Sequence, residues 1–91
     1  MNLSLHAQQR MQQRGISLKA VNYLLAYGWV SHDHQGGRVI WLDKRSRERL
    51  EAEEGKRVLR GMDKCLNAYV VTDTDGTVVT VGHRYRRIKR H

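Results

Sequence analysis

The last third of the chain carries the pattern that most restricts the fold, two runs of β-branched residues separated by a turn. The runs are Tyr69-Val70-Val71-Thr72 and Thr77-Val78-Val79-Thr80-Val81, and Asp73-Thr74-Asp75-Gly76 lies between them. β-Branched residues favour strands, and an Asp-Gly pair favours the tight turn of a hairpin. The sequence therefore predicts an antiparallel β-hairpin over residues 69–81.

The start of the chain has helical periodicity with a capping residue before each segment. Ser4 is the predicted N-cap of a helix over residues 5–14. Gly15 is predicted to follow that helix in the left-handed conformation. Ser17 and Gly28 bound a second helix over residues 18–27 in the same way. Because the link is so short, we expect the two helices to form a tight αα-hairpin.

In the middle of the chain the spacing of apolar residues changes from helical to strand-like and then back to helical. Residues 29–32 and 38–42 are typical of short strands, with Gln35-Gly36-Gly37 as the turn between them. Helical spacing returns from Ser46, a predicted N-cap, to residue 66, and Gly55 is expected to divide this stretch into two helices.

These elements follow the order αα, ββ, α(α), ββ, which is typical of an α+β domain. The simplest arrangement places the N-terminal αα-hairpin and the middle helix on one face of a largely antiparallel four-stranded sheet. The opposite face would then be partly open, where ligands could bind.

Length and composition indicate one domain over residues 1–91, in which residues 84–91 form a basic strand end or tail. Cys65 is the only cysteine, which excludes an intrachain disulfide, and it lies in an apolar helical stripe that predicts a buried position. The N-terminus lacks the apolar run of a signal peptide, and no segment has the length of a membrane span, so we expect a cytoplasmic protein. No phosphate-binding loop is present, and no cofactor is expected.

The two ends of the chain are purely basic, whereas the middle mixes basic and acidic residues. The net charge is +8. Residues 1–28 contain three basic residues, Arg10, Arg14 and Lys19, and residues 84–91 contain five; neither segment contains an acidic residue. Segregated positive charge attracts polyanions. We therefore expect the end of the chain to contact nucleic acid, through Arg86, Arg87, Lys89 and Arg90.

The first helix places two arginines beside its apolar stripe. With Ala7 at the centre of that stripe, Arg10 and Arg14 lie within or next to it, and His6 completes a ridge at i, i+4, i+8 spacing. Arginine is rarely buried without a partner. The two side chains therefore extend to solvent, or form salt bridges to the domain's own acids, or line a cleft that receives an anion.

The last strand has two faces whose assignment the sequence leaves open. Strict alternation places Val79, Val81, His83 and Tyr85 on the core face, and Val78, Thr80, Gly82, Arg84 and Arg86 on the other. A β-bulge at Gly82 would exchange the later residues. Whether His83 or Arg84 points into a cleft is thus undecided.

The same residues supply the groups that RNA cleavage without a metal ion requires. That reaction needs a base for the 2′-hydroxyl, a cation for the phosphorane and an acid for the leaving 5′-oxygen. His6 and His83 could act as base and acid. The cations would be Arg10, Arg14 and Arg84, and Tyr85 could donate a proton or stack on a base.

Two alternative kinds of site, a metal site and an aromatic base-stacking sheet, are not favoured by the sequence. His32-Asp33-His34 has the residue types of a metal site, but alternation in a strand directs Asp33 away from the two histidines, so no metal is expected. Base-stacking aromatic residues at regular strand positions are sparse, which argues against an RRM-like module.

Two segments resemble a known family. Leu5-His6-Ala7-Gln8-Gln9-Arg10-Met11-Gln12-Gln13-Arg14-Gly15-Ile16-Ser17 is similar to the opening HA-xx-R-M-xx-R-G-I-S motif of domain of unknown function family 4258, and residues 75–87 are similar to its terminal hairpin. The family is itself similar to the RelE/ParE toxin group of ribonuclease-like folds. The resemblance implies a RelE/ParE-like fold, and its motif positions are His6, Arg10, Arg14, Thr80, His83 and Arg84.

Three functions follow as hypotheses. The first is a toxin-like endoribonuclease that needs no metal ion, with RNA favoured over DNA as its target. The second is an RNA-, ribosome- or DNA-binding module without catalysis. The third is a ParE-like toxin directed at a protein and held by an acidic antitoxin, because basic toxins are usually neutralised by acidic partners. The middle helices are longer than the minimal toxin plan needs, which leaves the shape of the cleft open.

Overall fold

Four antiparallel strands form a meander in which each strand pairs with the next along the chain, in the order β1-β2-β3-β4. The computed structural model describes residues 1–33 and 35–84. Helices pack against one face of the sheet, which confirms the predicted α+β arrangement. The elements are α1 (Leu5–Arg14), α2 (Leu18–Tyr27), β1 (Trp29–His32), β2 (Arg38–Trp41), α3 (Lys44–Glu54), α4 (Lys56–Gly61), a 3₁₀ turn (Asp63–Cys65), β3 (Ala68–Thr72) and β4 (Val78–His83).

The first two helices begin and end where their capping residues predict. The Ser4 hydroxyl accepts a hydrogen bond from the Ala7 amide at 3.0 Å, and the Ser17 hydroxyl accepts one from the Ala20 amide at 3.1 Å. Gly15 adopts φ 65°, the left-handed conformation that ends many helices at low cost for glycine. The two helices pack on different parts of the sheet, α1 against β4 and α2 against β2 and β3.

The start of α3 corrects one prediction. Ser46 is not the N-cap; the helix begins at Lys44, and Asp43 caps it by accepting a hydrogen bond from the Ser46 amide at 2.8 Å. Both residue types are good caps, but Ser46 is buried in the first turn and is therefore unsuited to end the helix at the surface. Gly55, at φ 95°, divides α3 from α4 as predicted.

Replacing Asp43 by alanine is expected to lower the free energy of unfolding by about 1 kcal/mol, because the Ser46 amide loses its acceptor at a helix end. Urea denaturation followed by circular dichroism measures the change. Asp43→Asn retains a side-chain acceptor and should retain most of the stability. An unchanged unfolding midpoint in Asp43→Ala would show that the cap does not stabilise α3.

The core lies between the helices and one face of the sheet. Ala7 of α1, Val21 and Leu24 of α2 and Leu50 of α3 are fully buried there, and Val70 is their counterpart from the sheet. These side chains form one cluster, so α1, α2 and α3 share a single core. Cys65 belongs to the same cluster, as its apolar surroundings predicted.

A β-bulge in β4 changes the predicted assignment of its faces. Val71 pairs with Thr80, but Thr72 pairs with Val78, so Val79 is the extra residue. Val78 is consequently fully buried on the core side, where strict alternation had placed Val79. The bulge lies before Thr80 and not at Gly82, so the alternation predicted for the later residues holds.

A contact between two helices ties α2 to α3. The Tyr27 hydroxyl donates a hydrogen bond to Glu54 Oε2 at 2.8 Å, and the Arg49 guanidinium lies 5.9 Å from the centre of the Tyr27 ring. The Glu54 hydrogen bond, together with nearby Glu53, raises the pKa of the Tyr27 phenol well above its usual range, because a phenolate would face two carboxylates. Within the described residues, every helix is too short or too polar to span a lipid bilayer.

Candidate nucleic-acid interface

The N-terminal segment holds α1 beside the outer edge of β4. Leu3 forms a parallel bridge with Val78, in which the Ser4 amide donates to the Val78 carbonyl at 2.9 Å and the Val78 amide donates to the Asn2 carbonyl at 2.9 Å. The Ser4 hydroxyl also donates to the Val79 carbonyl at 3.1 Å. Because this anchor lies immediately before α1, it sets the position of the helix along β4.

A surface cleft of about 250 Å³ lies between α1 and the sheet. Arg10 lines it and is half-buried, whereas Arg14 lines it and is exposed. The other described lining residues come from β3 and β4, and no acidic residue is among them. The cleft therefore brings two arginines together with a tyrosine, a threonine and a histidine. Its lining residues are Arg10, Arg14, Tyr69, Thr80, Val81, Gly82 and His83.

His83 joins the end of α1 to the cleft. Its Nε2 atom lies 2.8 Å from the Arg14 carbonyl oxygen. A carbonyl oxygen only accepts hydrogen bonds, so Nε2 carries the hydrogen, and Nδ1 is the ring nitrogen that accepts a proton in the neutral tautomer. The contact orients the imidazole, and it also satisfies a carbonyl at the C-terminal end of the helix.

Tyr69 forms part of the cleft because residue 82 is glycine. A Cβ atom at Gly82 would lie 2.7 Å from the Tyr69 hydroxyl oxygen and 2.8 Å from the ring carbon that carries it. Those distances are too short for real contacts, so only glycine lets the ring cross β4 at this point. Tyr69 is not among the predicted site residues, because only the pairing of Tyr69 with Gly82 reveals its position.

The predicted site residues are only partly brought together. Arg10, Arg14, Thr80 and His83 line the cleft. His6 is not among the lining residues; it lies on the α1 ridge, where its Nε2 atom is 3.5 Å from Arg10 Nε.

The sequence left open whether His83 or Arg84 points into the cleft, and the structure places His83 there. His83 lines the cleft, whereas the Arg84 guanidinium lies over the Trp41 ring, 4.7 Å from its centre. Tyr85 and the basic residues predicted to bind nucleic acid lie outside the described residues, and these are Arg86, Arg87, Lys89 and Arg90.

The histidine-rich turn after β1 has a structural explanation. Asp33 Oδ1 accepts hydrogen bonds from the Gln35 amide at 2.8 Å and from the Gly37 amide at 2.7 Å, so its carboxylate orders the turn. Among residues 1–33 and 35–84, no three His, Cys, Asp or Glu side chains converge on one point. His34 lies outside the described residues.

The fold and cleft define a small, basic α+β protein with a cationic site at one edge of its sheet. Comparison with protein families places residues 3–83 in the family described as Domain of unknown function (DUF4258), and the chain belongs to that family. No curated protein and no solved structure matches the chain.

Proposed function

We propose that this protein binds RNA, with a backbone phosphate held in the cleft between α1 and β4. The observation that carries the proposal is the convergence of Arg10 and Arg14 from one helix with Thr80 and His83 from the sheet. Guanidinium groups bind phosphate oxygens through paired hydrogen bonds, and a hydroxyl or an imidazole can add another. The cleft, at about 250 Å³, exceeds the volume of one water molecule, about 30 Å³, several-fold, which leaves room for a phosphate and its ribose.

Two further features support RNA as the ligand. The net charge of +8 favours a polyanion over a small neutral molecule. The α1 motif and the terminal hairpin resemble domain of unknown function family 4258, and the similarity of that family to the RelE/ParE toxin group implies a ribonuclease-like fold.

The position of His83 favours cleavage of the bound RNA as a second function. In that reaction Nδ1 of His83 would remove the proton of the 2′-hydroxyl, and the 2′-oxygen would attack the adjacent phosphorus. The bond from phosphorus to the 5′-oxygen would break, and the Tyr69 hydroxyl, which lines the cleft, would protonate that oxygen. The products are a 2′,3′-cyclic phosphate and a 5′-hydroxyl. Arg10 and Arg14 would stabilise the charge of the phosphorane.

Fluorescence anisotropy with a labelled single-stranded RNA tests the binding proposal. Over a series of KCl concentrations, we expect a linear plot of log affinity against log salt with a slope of several units, at about 0.7 per neutralised phosphate. An affinity that does not depend on salt would contradict phosphate binding. Failure to bind RNA, together with co-purification of an acidic partner protein, would instead favour the protein-directed alternative.

Incubation of RNA with the protein in EDTA tests cleavage separately. Products with cyclic phosphate ends should form with the wild-type protein and be lost in His83→Ala while RNA binding remains. His32→Ala is the matched control, because His32 is an exposed histidine on β1 that does not line the cleft. Binding without products would assign the chain as a non-catalytic RNA-binding module.

A further inference from the structure

Three aromatic residues and one glycine form a row that crosses all four strands. Trp29 pairs with Trp41, Trp41 with Tyr69, and Tyr69 with Gly82. Residues directly opposite each other in antiparallel strands share a face of the sheet. Neighbouring strands lie about 4.8 Å apart, so the row spans roughly 14 Å from its first residue to its last.

The row lies on the face of the sheet opposite the core, and its two ends border clefts that α3 and α1 also line. The residues next to it along the strands point to the core, where Ile40, Val70 and Val81 are buried. Trp29 is 55 % exposed. Trp41 and Tyr69 are half-buried, and neither packs against the core cluster. Tryptophan and tyrosine rings that remain accessible on one face of a sheet offer π-faces to a planar ligand.

The aromatic row is continuous with the phosphate cleft. Tyr69 belongs to both, since its ring crosses Gly82 and lines the cleft beside Arg10 and Arg14. Farther along the row, the Arg84 guanidinium lies 4.7 Å from the centre of the Trp41 ring. Stacked arginine planes and aromatic rings are both surfaces on which unpaired bases stack. The cleft that could bind a phosphate and the aromatic residues that could stack on bases are thus neighbours on the sheet.

We infer that the ligand is single-stranded RNA that crosses the sheet perpendicular to the strands. One phosphate binds at Arg10 and Arg14, and neighbouring bases stack on the Arg84–Trp41 pair and on Trp29. The inference rests on the proposed function and specifies its substrate. A duplex is not suited to this surface, because its bases are stacked on one another and present only their edges in the grooves.

The two tryptophans of the chain both belong to the row, so intrinsic fluorescence reports on it directly. In Trp29→Phe and Trp41→Phe, the single remaining tryptophan should be quenched when hexauridylate is added. Linear inorganic polyphosphate, which has charge but no bases, should bind without quenching either one. Hexauridylate binding that leaves both tryptophans unquenched would overturn the inference.

Affinity measurements separate this inference from the proposed function. Trp29→Ala should weaken hexauridylate binding about tenfold, the usual effect of losing one stacked base, and should leave polyphosphate affinity unchanged. Leu18→Ala is the matched control, because Leu18 is an apolar residue 49 % exposed on α2, away from the row. Equal affinities of wild type and Trp29→Ala for hexauridylate, or equal affinities for single-stranded and duplex RNA, would overturn the stacking inference alone. If neither hexauridylate nor polyphosphate binds, the proposed function itself fails.

Discussion

Replacing Arg10 and Arg14 together by alanine is expected to weaken RNA binding roughly 100-fold, because each lost charged contact to phosphate costs about 1.5 kcal/mol or more. Both residues line the same cleft. No other arginine or lysine is among its described lining residues, so none could compensate for their loss. The slope of log affinity against log salt should also fall by about 0.7, which corresponds to one fewer neutralised phosphate on a single strand. Anisotropy over a KCl series measures both quantities.

The double variant Arg57→Ala/Arg60→Ala is the appropriate control. Both residues are exposed on α4, and their removal lowers the net charge by the same amount without altering the cleft lining. If the interaction depends on the cleft, this variant should bind RNA within a few-fold of wild type. Equal losses in the two double variants would show that binding follows net charge and not the cleft.

Replacing Leu24 by alanine is expected to lower the free energy of unfolding by about 2–5 kcal/mol, the usual cost of a large cavity in a packed core. Leu24 is fully buried where α2 meets the rest of the core. Domains typically have only about 5–15 kcal/mol of stability, so this single change should remove a large fraction of it. Urea denaturation gives the value.

Leu5→Ala serves as the comparison, since Leu5 is 70 % exposed at the start of α1. Its free energy of unfolding should stay within about 0.5 kcal/mol of wild type, as for most surface substitutions. A similar loss in both variants would contradict the position of the core between the helices and the sheet. Because α1 carries the cleft arginines, the same measurement also shows that surface changes on this helix leave the fold intact.

The local parts of the fold could be predicted because short-range chemistry determines them. Ser4 and Ser17 cap their helices from within the same turn, and Gly15 and Gly55 adopt backbone angles that glycine favours. The start of α3 could not be decided in this way. Asp43 and Ser46 are equally good caps as residue types, and burial of Ser46 in the folded domain determines which one acts.

The bulge at Val79 could not be predicted for a related reason. Val78 and Val79 are identical in side chain, so neither the hydrophobic pattern nor β-propensity distinguishes which one faces the core. The bulge becomes visible only from the pairing of β4 with β3. Its position before Thr80 is what leaves His83 on the side of α1 and Arg84 over Trp41.

Some parts of the candidate site follow from local sequence, and others depend on contacts between distant segments. The ridge that contains Arg10 and Arg14 follows from helical spacing on one element and was predicted. The parts contributed by Tyr69 and Gly82, and the row that includes both tryptophans, depend on the register of three strand pairs. In the sequence these aromatic residues look scattered, because strand pairing and not sequence spacing aligns them.

Titration of isotope-labelled protein with a uridine dinucleotide, followed by two-dimensional NMR, tests most directly that the cleft holds an RNA phosphate. The largest amide shifts should occur at Arg14, Thr80, Gly82 and His83, and the amides of α4 should remain in place. Shifts that are largest on α4, or that spread evenly over the basic surface, would contradict phosphate binding in the cleft.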